Sequence, residues 1–300
     1  MVDLLVTGAA GQLGWEAVRR APEAGVTVSA VARRDLDITD RAAVRALVAR
    51  LKPRVILNAA AYTAVDKAEA ERDAAFAVNA EAPGNLAEAA AENGAALIHI
   101  STDYVFDGAK DGAWTEDDVT APLGAYGESK LAGERAVAER CPRHATLRTA
   151  WVYGVEGKNF VRTMLRLGAE RDALRVVADQ KGSPTFAGDL AVCCLKLAQK
   201  LAVTPEGGEA WGIFHAAGRG ETSWHGLAEA AFEHVAPHTG KRPSVAAITT
   251  DEYPTPARRP ANSVLDCARL ARVHGLALRH WRVALAEMLD ETLARERSSA

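Results

Sequence analysis

The sequence predicts an α/β fold in which a parallel sheet carries helices on both faces. Short apolar or β-branched runs alternate with alanine-rich segments of helical spacing through the first half of the chain, and a glycine-rich turn follows the first run. Strands separated by helices need crossover connections, which place the strands parallel. We therefore expect a Rossmann-like, doubly wound sheet with a smaller C-terminal lobe.

The elements of the first half follow from these runs. Continuous apolar runs, typical of strands buried on both faces, occupy residues 2–6, 26–31, 55–57 and 96–100. Helical spacing covers residues 13–20, 41–51 and 68–91. Asp40 is the expected N-cap of the second helix, and Pro83 indicates a restart that divides the third segment into two helices.

The second half is less regular. We expect strands at residues 145–151, 174–178 and 211–215, and helices at residues 126–139, 189–200, 223–234 and 281–297. Prolines between residues 253 and 260 exclude a central strand and predict an ordered extended loop. Residues 1–152 would form a nucleotide-binding domain, which a helix and a strand within residues 186–216 rejoin, and residues 153–300 would form most of the second lobe.

Composition and charge exclude several classes of protein. The 300 residues include 36 basic and 39 acidic ones, a formal charge of −3, without the basic excess of nucleic-acid-binding domains. No apolar run approaches the ~18 residues of a membrane span. The N-terminal segment carries Asp3 where a signal peptide would be basic. We expect a cytoplasmic protein with neither a nucleic-acid nor a membrane partner.

Four cysteines lack the spacing of a redox pair or a metal site. Cys141, Cys193, Cys194 and Cys267 are expected to pack as small apolar side chains. We assign no metal ligands. Glu16 is a candidate for Mg²⁺ at a dimer contact, although a solvated helix position fits it better, and both Mg²⁺ dependence and the choice between monomer and homodimer stay open.

A glycine pattern at the first strand–helix junction predicts a dinucleotide site. Gly8, Gly11 and Gly14 form a GxxGxxG arrangement with Gln12 and Leu13 between the last two glycines. Glycine allows a tight turn, the close approach of a pyrophosphate and close helix–strand packing, and the helix N-terminus presents free N–H groups to the phosphates. The position inside a βαβ unit is the one that this mechanism requires.

The end of the second strand favours NADPH over NADH. Enzymes that select NADH usually carry an acidic residue there for the ribose 2′-hydroxyl, but this chain has Arg33 and Arg34. Guanidinium groups suit a 2′-phosphate. Asp37 and Ile38 follow and are placed to line the adenine region. NADH remains the alternative cofactor.

A YxxxK pattern supplies candidate catalytic residues. Tyr126 and Lys130 stand four residues apart at the start of a helix, which places the phenol and the ammonium on one face. A nearby cation would lower the pKa of the phenol from its usual ~10. Thr102 follows a strand-like run, so its hydroxyl and the Tyr/Lys pair can converge at the nicotinamide.

With these motifs, the chain resembles the extended, nucleotide-sugar-modifying branch of the short-chain dehydrogenase/reductase superfamily. Within that branch it is similar to the dTDP-4-dehydrorhamnose reductases. Five further segments carry the resemblance in the order of the family: LNAAAYTAVDKAE at 57–69, STDYVFDG at 101–108, RTAWVYG at 148–154, DQKGSPT at 179–185 and PTPARRPANS at 254–263.

The resemblance implies a role for each matched residue. On the cofactor side these are Gly11, Gln12 and Leu13 at the pyrophosphate, Ala61, Tyr62 and Thr63 after the third strand, and Lys130 at the nicotinamide ribose. On the substrate side they are Thr102 and Asp103 near the sugar 4-oxygen, Trp151 against the substrate, and either Arg258 or Arg259 at the phosphates. Tyr126 would be the general acid, tuned by Lys130, in the NADPH-dependent reduction of dTDP-4-dehydro-L-rhamnose to dTDP-L-rhamnose.

Two alternatives stay open. One is another nucleotide-sugar reductase, epimerase or dehydratase of the same superfamily. Dehydratases commonly have a Glu after the Thr-Asp pair, and Tyr104 in that place counts against dehydration. The other is a non-catalytic NADP-binding regulator similar to that of methionine adenosyltransferase, against which the combination of Thr102, Tyr126 and Lys130 argues.

Overall fold

The computed structural model describes residues 3–299. Within that range the strands are β1 (Leu4–Thr7), β2 (Val28–Val31), β3 (Val55–Asn58), β4 (Ala96–Thr102), β5 (His144–Thr149), β6 (Val152–Tyr153), β7 (Ala173–Val177), β8 (Lys181–Gly182), β9 (Thr185–Phe186), β10 (Gly212–His215), β11 (Thr222–Ser223), β12 (Ser244–Ile248) and β13 (Asn262–Ser263). The α-helices are α1 (Gln12–Arg20), α2 (Arg41–Leu51), α3 (Val65–Ala68), α4 (Arg72–Phe76), α5 (Ala82–Glu92), α6 (Ala125–Arg140), α7 (Phe160–Glu170), α8 (Ala187–Leu201), α9 (Trp224–Thr239), α10 (Ala268–His274) and α11 (Trp281–Ser299).

Six strands form a parallel central sheet in the order β2-β1-β3-β4-β5-β10. The chain leaves β1 toward β2 on one side and returns to β3 on the other, so the connections diverge between β1 and β3. Doubly wound sheets bind their ligands at this point, outside the carboxyl ends of the strands. The predicted Rossmann-like fold is confirmed.

Helices cover both faces of the sheet because side chains alternate along each strand. On one face, Leu4 and Val6 of β1 belong to the same buried cluster as Leu190 of α8. On the other face, Leu5 belongs to a cluster that includes Val48 of α2. Because of this alternation, neighbouring residues of one strand belong to the cores on opposite faces of the sheet.

The element boundaries contain one correction. Asp40 caps α2 as expected, since its carboxylate accepts the N–H of Ala43 at 3.0 Å. Pro83 lies in the first turn of α5, where a missing N–H is tolerated, so the predicted restart is confirmed, and a π-helical turn over residues 77–81 connects α4 to α5. The strand predicted at 145–151 ends at Thr149, because Trp151 adopts a left-handed φ of 49°.

The C-terminal lobe has its own small sheets. β7 pairs with β12, β8 lies between β11 and β13, and helices α7, α9 and α11 share an apolar cluster. After β9 the chain returns to the central sheet, where α8 packs beside α1 and β10 pairs with β5. Helices α7 and α10 were not predicted, and α9 extends beyond residue 234 to Thr239 through Pro237. No helix within residues 3–299 is long and apolar enough to cross a membrane.

Candidate functional site

The glycine loop lies where the connections of the sheet diverge. Gly8 follows β1 with φ +71°, and a Cβ on it would fall 2.6 Å from the backbone nitrogen of Ala60, which follows β3. A Cβ on Gly14 would fall 2.3 Å from the carbonyl oxygen of Gly8. Because both clashes involve backbone, only glycine lets the first strand, the first helix and the β3 loop approach this closely.

The middle glycine leaves space rather than closing it. A Cβ on Gly11 would meet only the carbonyl oxygen of Gly8, at 3.3 Å. No side chain caps α1, so its first N–H groups are available to a ligand, and Gln12 is the first residue of that helix. The Leu13 side chain is buried in the core, while its backbone lies in the uncapped first turn of α1. An open space beside uncapped N–H groups suits a pyrophosphate, so the residues present fit a dinucleotide.

The residues after β2 differ in exposure. Arg33 and Arg34 are exposed, and Arg34 lies 3.6 Å from the carboxylate of Asp35. The carboxylate of Asp37 accepts hydrogen bonds from the backbone and the hydroxyl of Thr39. Ile38 is only 8% exposed and packs in the core cluster on the α2 face of the sheet. Of these four residues, the two arginines have the freedom to meet a phosphate.

The loop after β3 is held by a residue that the sequence did not indicate. Asn79, in the π-helical turn, accepts the N–H of Tyr62 at 2.8 Å and donates to its carbonyl oxygen at 3.0 Å. It also donates to the hydroxyl of Ser129 in α6, at 3.1 Å. The backbone of Tyr62, between Ala61 and Thr63, is thereby tied to the YxxxK helix, while the Tyr62 hydroxyl donates to Glu71.

Thr102 and Tyr126 meet at the carboxyl end of β4. Thr102 is the last residue of β4, is 5% exposed and lies within hydrogen-bonding reach of the Tyr126 hydroxyl. Its hydroxyl donates to Asp103 at 3.1 Å. Burial raises the pKa of Asp103 to about 6, although hydrogen bonds from Ser263 and Thr102 oppose the shift. The site therefore places two hydroxyls and a carboxyl side by side.

The pKa of Tyr126 is shifted in the direction opposite to the one expected from the sequence. Burial raises its pKa above the usual value, and the hydrogen bond with Thr102 opposes this only in part. The predicted lowering by Lys130 does not occur, because the Lys130 ammonium donates instead to the carbonyl oxygen of Ile100, at 2.6 Å. A phenol with a raised pKa keeps its proton at neutral pH and can act as an acid.

Lys130 belongs to a buried charge group that includes an unpredicted ion pair. Burial lowers the pKa of Lys130 to about 8, and the carboxylate of Glu134 opposes the shift. Glu134 and Arg148 are both 3% exposed at the side chain and form two hydrogen bonds, at 3.0 and 2.7 Å. Ser101 donates to the same carboxylate at 2.5 Å. The pair therefore lies between α6 and strands β4 and β5, one helical turn beyond Lys130.

Trp151 begins the C-terminal lobe in a constrained conformation. Its ring stacks on Trp224, the first residue of α9, with centroids 3.6 Å apart and planes 7° apart. The indole of Trp224 donates to Gln180 at 3.1 Å. A Cβ on Gly182 would fall 2.3 Å from the Trp151 ring. Trp151 is thus held from two sides, and Trp224 had no signal in the sequence.

The proline-bearing loop contains neither helix nor strand over residues 253–261. Its two arginines lie in different surroundings. Arg259 forms an ion pair with Asp66 at 2.8 Å and lies over the ring of Tyr104, whose own ring meets that of Tyr126 edge-on. Arg258 is exposed. Arg259 therefore lies beside the Thr102–Tyr126 pair, and Arg258 lies at the surface.

Glu16 is not the solvated residue that was expected. Its side chain is 1% exposed, and its carboxylate accepts from Arg19 and Arg20, each at 2.8 Å. Two guanidinium groups neutralise the charge, which explains its burial. Across residues 3–299, no group of three or more His, Cys, Asp or Glu side chains could hold a metal ion. The four cysteines are free, and only Cys267 among them is partly exposed.

Comparison with known proteins places this chain in a family. A family model described as the RmlD substrate binding domain matches residues 2–294. The chain belongs to this family. The dTDP-4-dehydrorhamnose reductase of Sinorhizobium fredii is 46% identical over 278 residues, covering 93% of each chain. A Streptomyces antibioticus protein named probable dTDP-4,6-dihydroxy-2-methyloxan-3-one 4-ketoreductase is 44% identical over 295 residues, covering 97% of this chain and 96% of that one.

A solved structure agrees with these relatives. The dTDP-4-dehydrorhamnose reductase of Bacillus anthracis in complex with NADP is similar with a TM-score of 0.88 and 36% identity, covering 97% of this chain and 99% of that one. The resemblance inferred from the motifs is confirmed. As a member of the RmlD family, the protein is an oxidoreductase.

Proposed function

We propose that the protein reduces the C4 ketone of dTDP-4-dehydro-L-rhamnose to dTDP-L-rhamnose with NADPH, with Tyr126 as the general acid. The observation that carries this proposal is the contact between Thr102 and Tyr126 at the end of β4, in a member of the RmlD family. The names of the relatives support the substrate, and the NADP complex of the B. anthracis enzyme supports the cofactor.

The hydroxyl pair accounts for the chemistry of the ketone. When bound, NADPH supplies the hydride that the ketone carbon accepts. Negative charge then develops on the ketone oxygen, to which Tyr126 donates a hydrogen bond and delivers its proton. Thr102 donates a second hydrogen bond to this oxygen once its hydroxyl proton turns from Asp103 to the substrate. Tyr126 is protonated before the reaction begins, as any phenol is at neutral pH, and the alkoxide that forms on the sugar is basic enough to take the proton despite the raised pKa of Tyr126.

The rest of the site would orient the two ligands. Gly8, Gly11, Gln12 and Gly14 would hold the pyrophosphate, and Lys130 the nicotinamide ribose. Arg33 and Arg34 would meet the 2′-phosphate. We further propose that residues 1–152, together with α8 and β10, hold the cofactor, and that the remaining residues of the second half bind the sugar nucleotide.

On the substrate side, Asp103 would contact the sugar and Trp151 would lie against the substrate. Of the two arginines in the proline-bearing loop, Arg258 is the better candidate for the diphosphate, because Arg259 already pairs with Asp66. Binding energy from the nucleotide diphosphate would then orient the remote ketone.

The test of substrate and cofactor follows the loss of NADPH absorbance. We expect turnover with dTDP-4-dehydrorhamnose and little with matched UDP and GDP keto-sugars, and slower turnover with NADH. The S. antibioticus relative favours a second candidate function, the reduction of a different dTDP-linked ketone. The same assay, with that ketone as the substrate, measures this activity. Equal rates on all three nucleotides would contradict the assignment of a dTDP-sugar.

The pH dependence of the reaction should report Lys130. Its pKa of about 8 means that the ammonium loses its proton as pH rises through that value. We expect kcat/KM to fall above about pH 8, because the neutral amine binds the nicotinamide ribose less well. Glu134→Gln removes the charge that opposes this shift, so the midpoint should move to lower pH. A profile of kcat/KM that stays level well beyond about pH 9 would contradict the role of the ammonium.

A further inference from the structure

Asn159, in the C-terminal lobe, makes three hydrogen bonds from one side chain. It is the N-cap of α7, where its Oδ1 accepts the N–H of Arg162 at 3.0 Å. Its Nδ2 donates to the carbonyl oxygen of Gly154 at 2.8 Å and to Oε1 of Gln12 at 2.9 Å. The last bond joins the second lobe to the first residue of α1, within the glycine pattern and directly after Gly11.

These partners fix the orientation of both amides. A backbone N–H can only donate and a carbonyl oxygen can only accept, so the amide of Asn159 fits its partners in one orientation alone. Its Nδ2 must then donate to Gln12, which places the carbonyl oxygen of the Gln12 amide toward Asn159. The Nε2 of Gln12 points away from that bond, and no group within residues 3–299 accepts a hydrogen bond from it.

We infer that Asn159 is a positioning residue for the dinucleotide: it holds the Gln12 amide with its two N–H groups toward the pyrophosphate. A freely rotating amide presents its oxygen as readily as its nitrogen, and the oxygen would face the anionic phosphate oxygens without a hydrogen bond. The loop at residues 154–157 supports the same arrangement, since a Cβ on Gly157 would lie 3.1 Å from Cγ of Gln12. This inference rests on the proposed binding of NADPH.

Two variants separate this role from the capping of α7. Aspartate and serine cap helices about as well as asparagine, so Asn159→Asp and Asn159→Ser keep the cap of α7, while both lose the hydrogen bond to the carbonyl oxygen of Gly154. Urea unfolding of each variant measures the cost of that loss. In Asn159→Asp both oxygens accept, so the Gln12 amide must turn its nitrogen toward residue 159 and its oxygen toward the pyrophosphate. We expect NADPH to bind the free protein at least about tenfold more weakly, and a smaller loss in Asn159→Ser, where the amide rotates freely.

A double-mutant cycle distinguishes amide orientation from the added charge. Fluorescence titration with NADPH is carried out on the full-length wild type, on Gln12→Leu, and on each Asn159 variant in both backgrounds. If Asn159 acts through Gln12, Asn159→Ser has no further effect in the Gln12→Leu background and the effect of Asn159→Asp shrinks. Titration with adenosine 2′-monophosphate, which lacks the pyrophosphate, should give unchanged affinity in every variant.

Four results are decisive. Full effects of both Asn159 variants in the Gln12→Leu background, or weaker binding of adenosine 2′-monophosphate, would overturn the inference while leaving the proposed function intact. An affinity of Asn159→Asp for NADPH equal to that of the wild type would also overturn the inference and leave the proposed function intact. A wild-type protein that binds no NADPH would overturn the proposed function and the inference with it.

Discussion

Tyr126→Phe is expected to lower the rate of ketone reduction by about 10² to 10⁴-fold, because phenylalanine has no proton to deliver to the ketone oxygen. Thr102 would still donate one hydrogen bond to that oxygen, which accounts for any residual rate. The affinity for NADPH should stay close to that of the wild type, since the glycine loop and Lys130 are unchanged. Steady-state kinetics by NADPH absorbance, together with a fluorescence titration of NADPH, measures both quantities.

The control is a buried tyrosine outside the site. The hydroxyl of Tyr153 donates to the carbonyl oxygen of Trp281 at 3.3 Å within the core of the C-terminal lobe. Tyr153→Phe removes one phenol in the same way and should reduce stability slightly with little effect on turnover. If Tyr126→Phe kept a turnover near that of Tyr153→Phe, a different group would have to be the acid.

Glu134→Leu should destabilise the fold by about 3–5 kcal/mol, because it leaves the guanidinium of Arg148 buried without a counter-charge. The Arg148 side chain is 3% exposed, so solvent cannot replace the lost carboxylate. Ser101 loses its acceptor at the same time. Urea unfolding, followed by circular dichroism, gives the change in the free energy of unfolding.

The matched control removes both charges together. Glu134→Leu/Arg148→Met leaves no unpaired ion, so we expect it to be more stable than Glu134→Leu alone. The double-mutant cycle should give a coupling energy of about 2 kcal/mol or more, as for residues in direct contact. Strictly additive losses would show that the buried pair contributes nothing specific.

The parts of the site that follow from local patterns were predictable. The glycine loop, Thr102 at a strand end and the Tyr126/Lys130 pair each stand at a fixed offset from an apolar run, and the positions of strand ends follow from the parallel sheet. Contacts between distant segments were not. Asn79 and Trp224 have no local signal, because their roles depend on which loops the fold brings beside them.

The sequence does contain a local signal for two other residues that were not predicted, Glu134 and Asn159. Glu134 lies one helical turn after Lys130, where a carboxylate can balance an ammonium. Asn159 precedes the apolar periodicity of α7, which is typical of an N-cap. The pKa of Tyr126 was predicted in the wrong direction, since the sequence shows the neighbouring cation but not the burial of the phenol, and burial is the larger effect.

The place of β10 in the sheet bears on how the chain is made. β10 pairs with β5, yet the whole of α7 and α8 separates the two strands along the chain. While the polypeptide emerges from the ribosome, β5 therefore remains an edge strand with unpaired N–H and C=O groups until Gly212–His215 has been synthesised. A nascent chain that already contains the complete glycine loop and YxxxK helix therefore still has an incomplete sheet, and the unpaired edge of β5 can pair with a neighbouring chain.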